Sequence, residues 1–374
     1  MPAETMPPRT VLILTSEPPE QLGGSEHVIR MLRACLESRN YHVEVIHRGN
    51  CGIPWKHRSG IKYVAHIQDL LLGYFVGRLA GALIRTNGNK IVAGISSGYM
   101  GWYPLPPGPT KVHVYHGTSA GVAETSREHI SRLGYLKMKY WDAMIFERLS
   151  GRNKIRLVVS NQVEEEVKRV FGFGTNLIWL PLDMEMFRLE EDRVAWHTRW
   201  GIPQDRPVGI FVGNSMPYKG LHTLVQLIDK TPHVRWIVVL RGSRCPELEN
   251  VANVQLLHDV PHAALPGLYA CADFALTPYR IGPFSYALVE ALACGVPVIA
   301  SPERTSPFFL RQEPFRRLLV SDQDDLAGFE AAVAEVVSKP VLFRQATVSL
   351  RPVLEQLVGL PAWRDRLCRF LKLD

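Results

Sequence analysis

Cysteine is scarce and scattered. The 374-residue chain has six, at positions 35, 51, 245, 271, 294 and 368, and none forms a close pair. This pattern indicates neither a zinc site nor a disulfide framework, and a reducing compartment suits it best. Long apolar runs are missing too: no stretch of about 18 uninterrupted apolar residues occurs, so no membrane span is expected. The opening segment MPAETMPPRT is polar and proline-rich, without the charged-then-apolar layout of a secretory signal. There is no sequence repeat and no long low-complexity tract. A cytoplasmic location is expected, with peripheral contact at the cytoplasmic membrane face left open.

An apolar content of 46% and a charged content of 21% read as soluble and globular, and the length suits two or three domains of ordinary size. The formal net charge of +7 favours anionic partners such as nucleotide phosphates, an acidic membrane face or nucleic acid. Charge alone does not choose among them.

Short apolar runs alternate with helix-length segments. Thr10–Thr15 reads as a founding strand, followed by a Gly-rich turn and a helix over about Ser25–Leu36. His42–His47, Ile91–Ile95, Lys111–Tyr115, Leu157–Ser160 and Leu177–Leu180 continue as strands, with a long helical segment around Arg132–Leu149. The pattern then restarts. Arg193–Asp205 is polar and reads as a linker, and Val208–Val212 is a second founding strand. Arg235–Leu240, Val254–Leu257, Phe274–Thr277, Val296–Ala300 and Leu318–Val320 follow it. Such alternation implies parallel sheets covered by helices, here two doubly wound α/β domains facing each other with the ligand in the cleft between them. The expected boundaries are 1–185, 186–360 and a C-terminal helix over 361–374 that returns to the first domain.

The most informative stretch is Tyr279–Ser301, YRIGPFSYALVEALACGVPVIAS. A turn-rich loop runs into a helix beginning near Phe284, Gly295 stops it, and Pro297 leads into a strand. Backbone N–H groups at a helix start suit a diphosphate, and a mid-helix carboxylate at Glu290 can accept from vicinal ribose hydroxyls. A solvated helix glutamate is the plainer alternative.

This stretch resembles the donor-binding signature of glycosyltransferase family four, retaining enzymes of the GT-B fold. The family pattern E-x-F-G, four residues, E-A-x-A-x-G-x-P-V falls on Phe284, Ser285, Glu290, Gly295, Pro297 and Val298. Its first glutamate, which in the family binds donor-sugar hydroxyls, falls on Gly282, and its loop glycine is Ser285. Phe211–Gly220, FVGNSMPYKG, is similar to the family's F-V-G-R-x-x-x-x-K-G. The resemblance gives Lys219 the donor diphosphate and places Asn214 where the family has arginine, so a charge and a bidentate fork are lost. Gly23 and Gly24, after the founding strand, match G-G-x-E and are assigned to donor-phosphate or acceptor-side contacts. His116 closes a strand as the family's sugar-contacting histidine does, while strand alternation turns His113 the other way. Arg241-Gly242-Ser243 is similar to the G-x-G turn, and Leu256–Val260 to the base-binding loop, with Val260 supplying backbone groups to the base.

What the resemblance implies is transfer of a sugar from a UDP- or GDP-sugar to a hydroxyl acceptor with retained anomeric configuration. The setting would be envelope polysaccharide, glycolipid or glycoconjugate synthesis. No metal, no further cofactor and no nucleic acid is expected. Asp322 and Asp324 form an Asp-x-Asp, read as helix capping. Two other readings stay open: a degenerate nucleotide-sugar-binding protein, because Gly282 and Asn214 remove donor contacts, and a sugar-nucleotide epimerase on the same fold. The basic-aromatic segments Trp55–Arg85 and Arg127–Arg156 suit either an acidic membrane surface or ordinary core packing with one solvated face.

Overall fold

The fold is taken from a computed structural model that describes residues 9–20, 24–54, 62–127, 130–190, 192–242, 244–280, 282, 284–303 and 305–373; at 24–27, 62–66 and 217 it describes the backbone alone. The chain divides into two compact units, Met1–Pro181 with Leu360–Asp374, and Leu182–Gly359.

The first unit is built on six strands: β1 (Thr10–Leu14), β2 (His42–Ile46), β3 (Ile91–Ser97), β4 (Thr110–Tyr115), β5 (Ile155–Val158) and the two-residue β6 (Asn176–Leu177). They lie in the order β2-β1-β3-β4-β5-β6, all parallel. Near-continuous apolar runs such as TVLIL suit strands buried on both faces. β1 and β3 are neighbours whose outgoing connections, to β2 and to β4, run to opposite sides and open a crevice at their carboxyl ends.

The helix Lys62–Asn87 lies against this sheet. Leu72, Val76, Ala80 and Ile84, four residues apart, are buried with Leu12, Leu14, Ile46 and Ile91. Its Ile67–Asn87 stretch is long and apolar enough to cross a membrane. One stripe of it packs on the sheet, while Ile67 and Leu71 are exposed. Trp55, Lys56 and Arg58 of that segment lie outside the described residues. The same helix needs glycine at position 77, where an added Cβ would stand 2.4 Å from the Cβ of Tyr103. The expected helix around Arg132–Leu149 is a composite: Arg132–Leu136, a π-helical stretch Lys137–Glu147, then Arg148–Gly151.

The helix Leu360–Leu371 completes the first unit. Trp363, Leu367 and Leu371, again at i+4 spacing, are buried, and Asp365 pairs with Arg39 at 2.5 Å.

The second unit has β7 (Val208–Gly213), β8 (Arg235–Leu240), β9 (Val254–His258), β10 (Phe274–Thr277) and β11 (Val298–Ala300). They are parallel in the order β11-β10-β7-β8-β9, so order reverses between β10 and β7. Two sequence expectations fail here. Arg193–Asp205 is not a plain linker: Arg193–Trp200 is a helix, N-capped by Asp192 and stopped by Gly201 at φ 63°. Its polar composition hid these capping signals, and Arg193 ties the helix down by bonding Ala270 O at 2.8 Å and Asp273 at 2.9 Å. Leu318–Val320 is not a strand. The 3-10 turn Phe315–Leu318 takes up its start, and Leu319 makes only an isolated bridge to Ala300.

Leu367→Ala is expected to destabilise the protein by about 2–5 kcal/mol, the usual cost of such a buried truncation. Denaturant unfolding followed by circular dichroism measures it, and a loss under about 1 kcal/mol would contradict the packing of the last helix.

Candidate active site on the second sheet

Parallel strands bring all their carboxyl ends to one edge of a sheet. Along that edge of the second unit, the residues following β11, β10, β7, β8 and β9 include, in turn, Glu303, Tyr279 and Gly282, Lys219, Arg241, and Val260. Four residues named from four separate sequence motifs, Gly282, Lys219, Arg241 and Val260, therefore fall on one edge, with Lys219 and Tyr279 flanking the reversal of order.

The chain after β7 turns through Asn214, whose Oδ1 accepts from Met216 N at 3.2 Å, into the 3-10 turn Pro217–Lys219. Gly220 follows at φ 68°, and a Cβ there would lie 2.2 Å from Pro278 O. Only glycine combines that left-handed backbone with so close a pass. The result holds Lys219 Nζ 3.9 Å from the centroid of the Tyr279 ring. This cation–π contact is steadied by Tyr279 Oη, which donates to Val212 O at 2.6 Å. Burial pulls the Lys219 ammonium down to about 8, with the negative charge of Glu303 opposing the shift.

After β10, Arg280 pairs with Asp324, and its Nε donates to Gln323 at 3.1 Å. The Asp-x-Asp is thus mainly an ion-pairing element. The cap of the helix Leu326–Ser338 is Asp325, which accepts from Gly328 N at 2.9 Å. The signature helix runs Tyr286–Ala293, starting two residues later than Phe284. Ser285 sits at its N-cap, where its amide donates to Thr305 Oγ1 at 3.0 Å and is therefore already committed within the chain.

Glu290 is not a solvated helix glutamate. It is 3% exposed, accepting from His262 Nε2 at 2.7 Å and from Tyr269 Oη at 3.2 Å. His262, just past Val260, was not singled out in the sequence; no local pattern links it to a carboxylate 28 positions on. Glu303 was missed as well. It is 3% exposed, its Oε1 accepts from Ser306 N at 2.7 Å, and burial lifts its carboxyl to about 7. Arg241 is exposed with its amide on Gly213 O at 2.9 Å, and Gly242 N donates to Asp259 at 2.8 Å.

In the first unit Gly23 lies outside the described residues, and Gly24 opens the helix Gly24–Glu37. His116 is half-buried just past β4, and burial lowers its imidazole to about 4, so it is neutral at physiological pH. His113 is fully buried with Nδ1 3.0 Å from Ser96 Oγ. The helix start after His116 is occupied by the chain's own anions. Glu166 accepts from Thr118 N at 2.6 Å, and Glu147 from Ser119 N at 2.9 Å. Beside the β1–β3 crevice, Ser16, Glu17, Asp69, Ser97 and Tyr99 line a hollow, with Arg48 pairing Glu17 at 3.1 Å and Asp69 at 3.5 Å.

Residues 192–347 match the family described as glycosyl transferases group 1. The second unit is a glycosyl transferases group 1 domain. Among curated relatives, the chain is 26% identical over 180 residues to the D-inositol 3-phosphate glycosyltransferase of Streptomyces bingchenggensis, a match covering 42% of this chain and 40% of that protein. Its likeness to solved structures extends further. The sucrose-phosphate synthase of Thermosynechococcus elongatus superposes with a TM-score of 0.77 at 19% identity, covering 97% of this chain and 98% of the other. The Anabaena protein HepE, solved with UDP and glucose, gives 0.67 at 16% identity over 97% and 99%. The whole chain thus has the GT-B fold, and its group 1 domain carries every motif of the carboxyl edge described above.

Lys219 has a consequence for stability. Its folded pKa, about 8, lies below the unfolded value, so between pH 8 and about 10.5 the unfolded chain holds a proton the folded chain has released. Stability therefore gains a rising contribution with pH across that window. Subtracting the pH-dependence of Lys219→Met from that of the wild type should isolate this rise, read by urea unfolding; identical profiles would show Lys219 titrating normally.

Proposed function

We propose that the chain is a glycosyltransferase that moves a sugar from a nucleoside-diphosphate sugar to a hydroxyl acceptor with retention of configuration. The observation that carries this reading is the half-buried Lys219, its ammonium held over Tyr279 where the strand order reverses, in a group 1 domain. A fixed cation in a water-poor setting offsets the negative charge that builds on a departing diphosphate. The start of the helix Tyr286–Ala293 adds a favourable dipole for the same group.

Glu290 receives the ribose. Each of its oxygens accepts one bond, from His262 or Tyr269, which fix the carboxyl plane, and keeps a second lone pair for a ribose hydroxyl. Val260 and Arg241 flank the base and the outer phosphate. His116, with its imidazole neutral, is assigned a hydroxyl contact from the first unit, and the hollow lined by Ser16, Glu17, Asp69 and Ser97 an acceptor rich in hydroxyls. The acceptor hydroxyl attacks on the face the diphosphate leaves, and the departing phosphate oxygen takes its proton. UDP is the first donor nucleotide to test, because HepE was solved with it; GDP is the second.

Thermal-shift titration with UDP, GDP and ADP is expected to give a concentration-dependent rise in Tm with one of them. Lys219→Ala and Glu290→Ala should each weaken that nucleotide about tenfold or more. Affinity should also fall as pH rises through about 8, where Lys219 loses its proton. Nucleotide affinity unchanged in both variants would end the assignment.

A peripheral membrane role has separate support. Leu133, Leu136, Tyr140 and Trp141 are exposed on a segment that also carries Lys137 and Lys139. Flotation with anionic vesicles at low salt should carry the protein upward and be reversed by raised salt; absence of binding at low salt would refute it.

A further inference from the structure

Glu303 occupies an unusual position among the acidic residues of the second unit. It follows β11, the strand beside β10, and it is 3% exposed. The carboxyl is held at the start of the short helix Ser306–Leu310, where Oε1 accepts from Ser306 N at 2.7 Å and Thr305 donates as well. The other oxygen, Oε2, is buried with no hydrogen-bond partner among the described residues. A buried carboxylate oxygen left without a donor is costly, and such an oxygen marks either strain or a place where a ligand supplies the missing hydrogen.

The surroundings favour a ligand. Oε2 stands 4.0 Å from where a Cβ on Gly282 would be, and no other described atom comes within 4 Å of that point. Gly282 thus leaves space in front of the oxygen. Lys219 lies near enough for its charge to act on Glu303, and its ammonium is held over Tyr279. A carboxylate acceptor and an ammonium donor therefore share one corner of the carboxyl edge, with a side-chain-free residue between β10 and the signature helix.

We infer that Glu303 Oε2 accepts a hydrogen bond from a hydroxyl of the donor's sugar, in the space Gly282 leaves open. This rests on the proposed nucleotide-sugar reading and deepens it: the carboxylate that selects the sugar comes from the loop after β11, not from the loop that carries Gly282. The chemistry recognised is a polyol hydroxyl, a donor able to satisfy the oxygen once the carboxyl, lifted to about 7, is ionised, and the binding measurements are made above that pH. The diphosphate, itself anionic and without hydrogens to give, is not a partner for it. A purely structural Glu303 would instead cap the helix through Oε1 and be indifferent to the sugar.

The test compares a nucleotide with its sugar conjugate. Affinities for UDP and UDP-glucose, and for GDP and GDP-mannose, are measured by calorimetry on the wild type, Glu303→Gln and Gly282→Ala. The amide keeps an acceptor for Ser306 N but removes the charge. The alanine methyl leaves the carboxylate in place and fills the space before it. Each variant is expected to weaken the conjugate by about tenfold to a hundredfold while its parent diphosphate changes by less than about twofold. An equal effect on both ligands, or none on either, would overturn the inference and leave the nucleotide assignment standing. If the wild type binds none of the four, and neither ADP nor ADP-glucose, the assignment and the inference fall together. Should Glu303→Gln not fold, Gly282→Ala alone decides, because it leaves the cap intact.

Discussion

Charge held out of water is the constraint around which the second unit is organised. Two carboxylates, at Glu290 and Glu303, are buried along one edge of a five-stranded sheet, and the ammonium of half-buried Lys219 is drawn out of water along the same edge. Taking such groups from water costs several kcal/mol each unless partners compensate. Compensation is visible for each, and it is incomplete in a consistent direction. Lys219 has an aromatic face in place of a paired carboxylate. Glu290 has two donors and spare lone pairs, and Glu303 has one oxygen bonded. A fold selected only for stability would replace these groups with apolar ones. Their retention at the carboxyl edge of parallel strands is what a polar, anionic, hydroxyl-bearing ligand requires.

The first unit handles the same physics differently. Its helix start beyond β4 already has its anions, Glu166 and Glu147, which bond the amides of Thr118 and Ser119 directly. A Cβ on Gly121 would lie 2.2 Å from the Glu166 carboxyl, so the helix leaves exact room for the charge it receives. The dipole there is spent within the chain.

Much of this was legible in the sequence, for identifiable reasons. Strands β8 and β10 fall on the expected residues because buried parallel strands are short uninterrupted apolar runs with abrupt polar ends. Lys219 and Glu290 stood out because glycine and proline punctuate their motifs at fixed offsets. His262 and Glu303 did not, since their significance lies in contacts across the fold: one bonds a carboxylate on another helix, the other faces a glycine on another loop. The helix Arg193–Trp200 was hidden for a different reason. Its apolar residues Val194, Ala195, Trp196 and Trp200 are not buried, and the aspartate and glycine at its ends carry the information.

The helix Leu360–Leu371 packs with the first unit although the whole of Leu182–Gly359 precedes it in the chain. During synthesis, then, the second unit emerges entire while the first still lacks its last piece. The first unit must therefore wait, with the seat of Trp363 and Leu367 uncovered, until Leu360–Leu371 has been translated. Order of birth and order of completion are reversed in this protein.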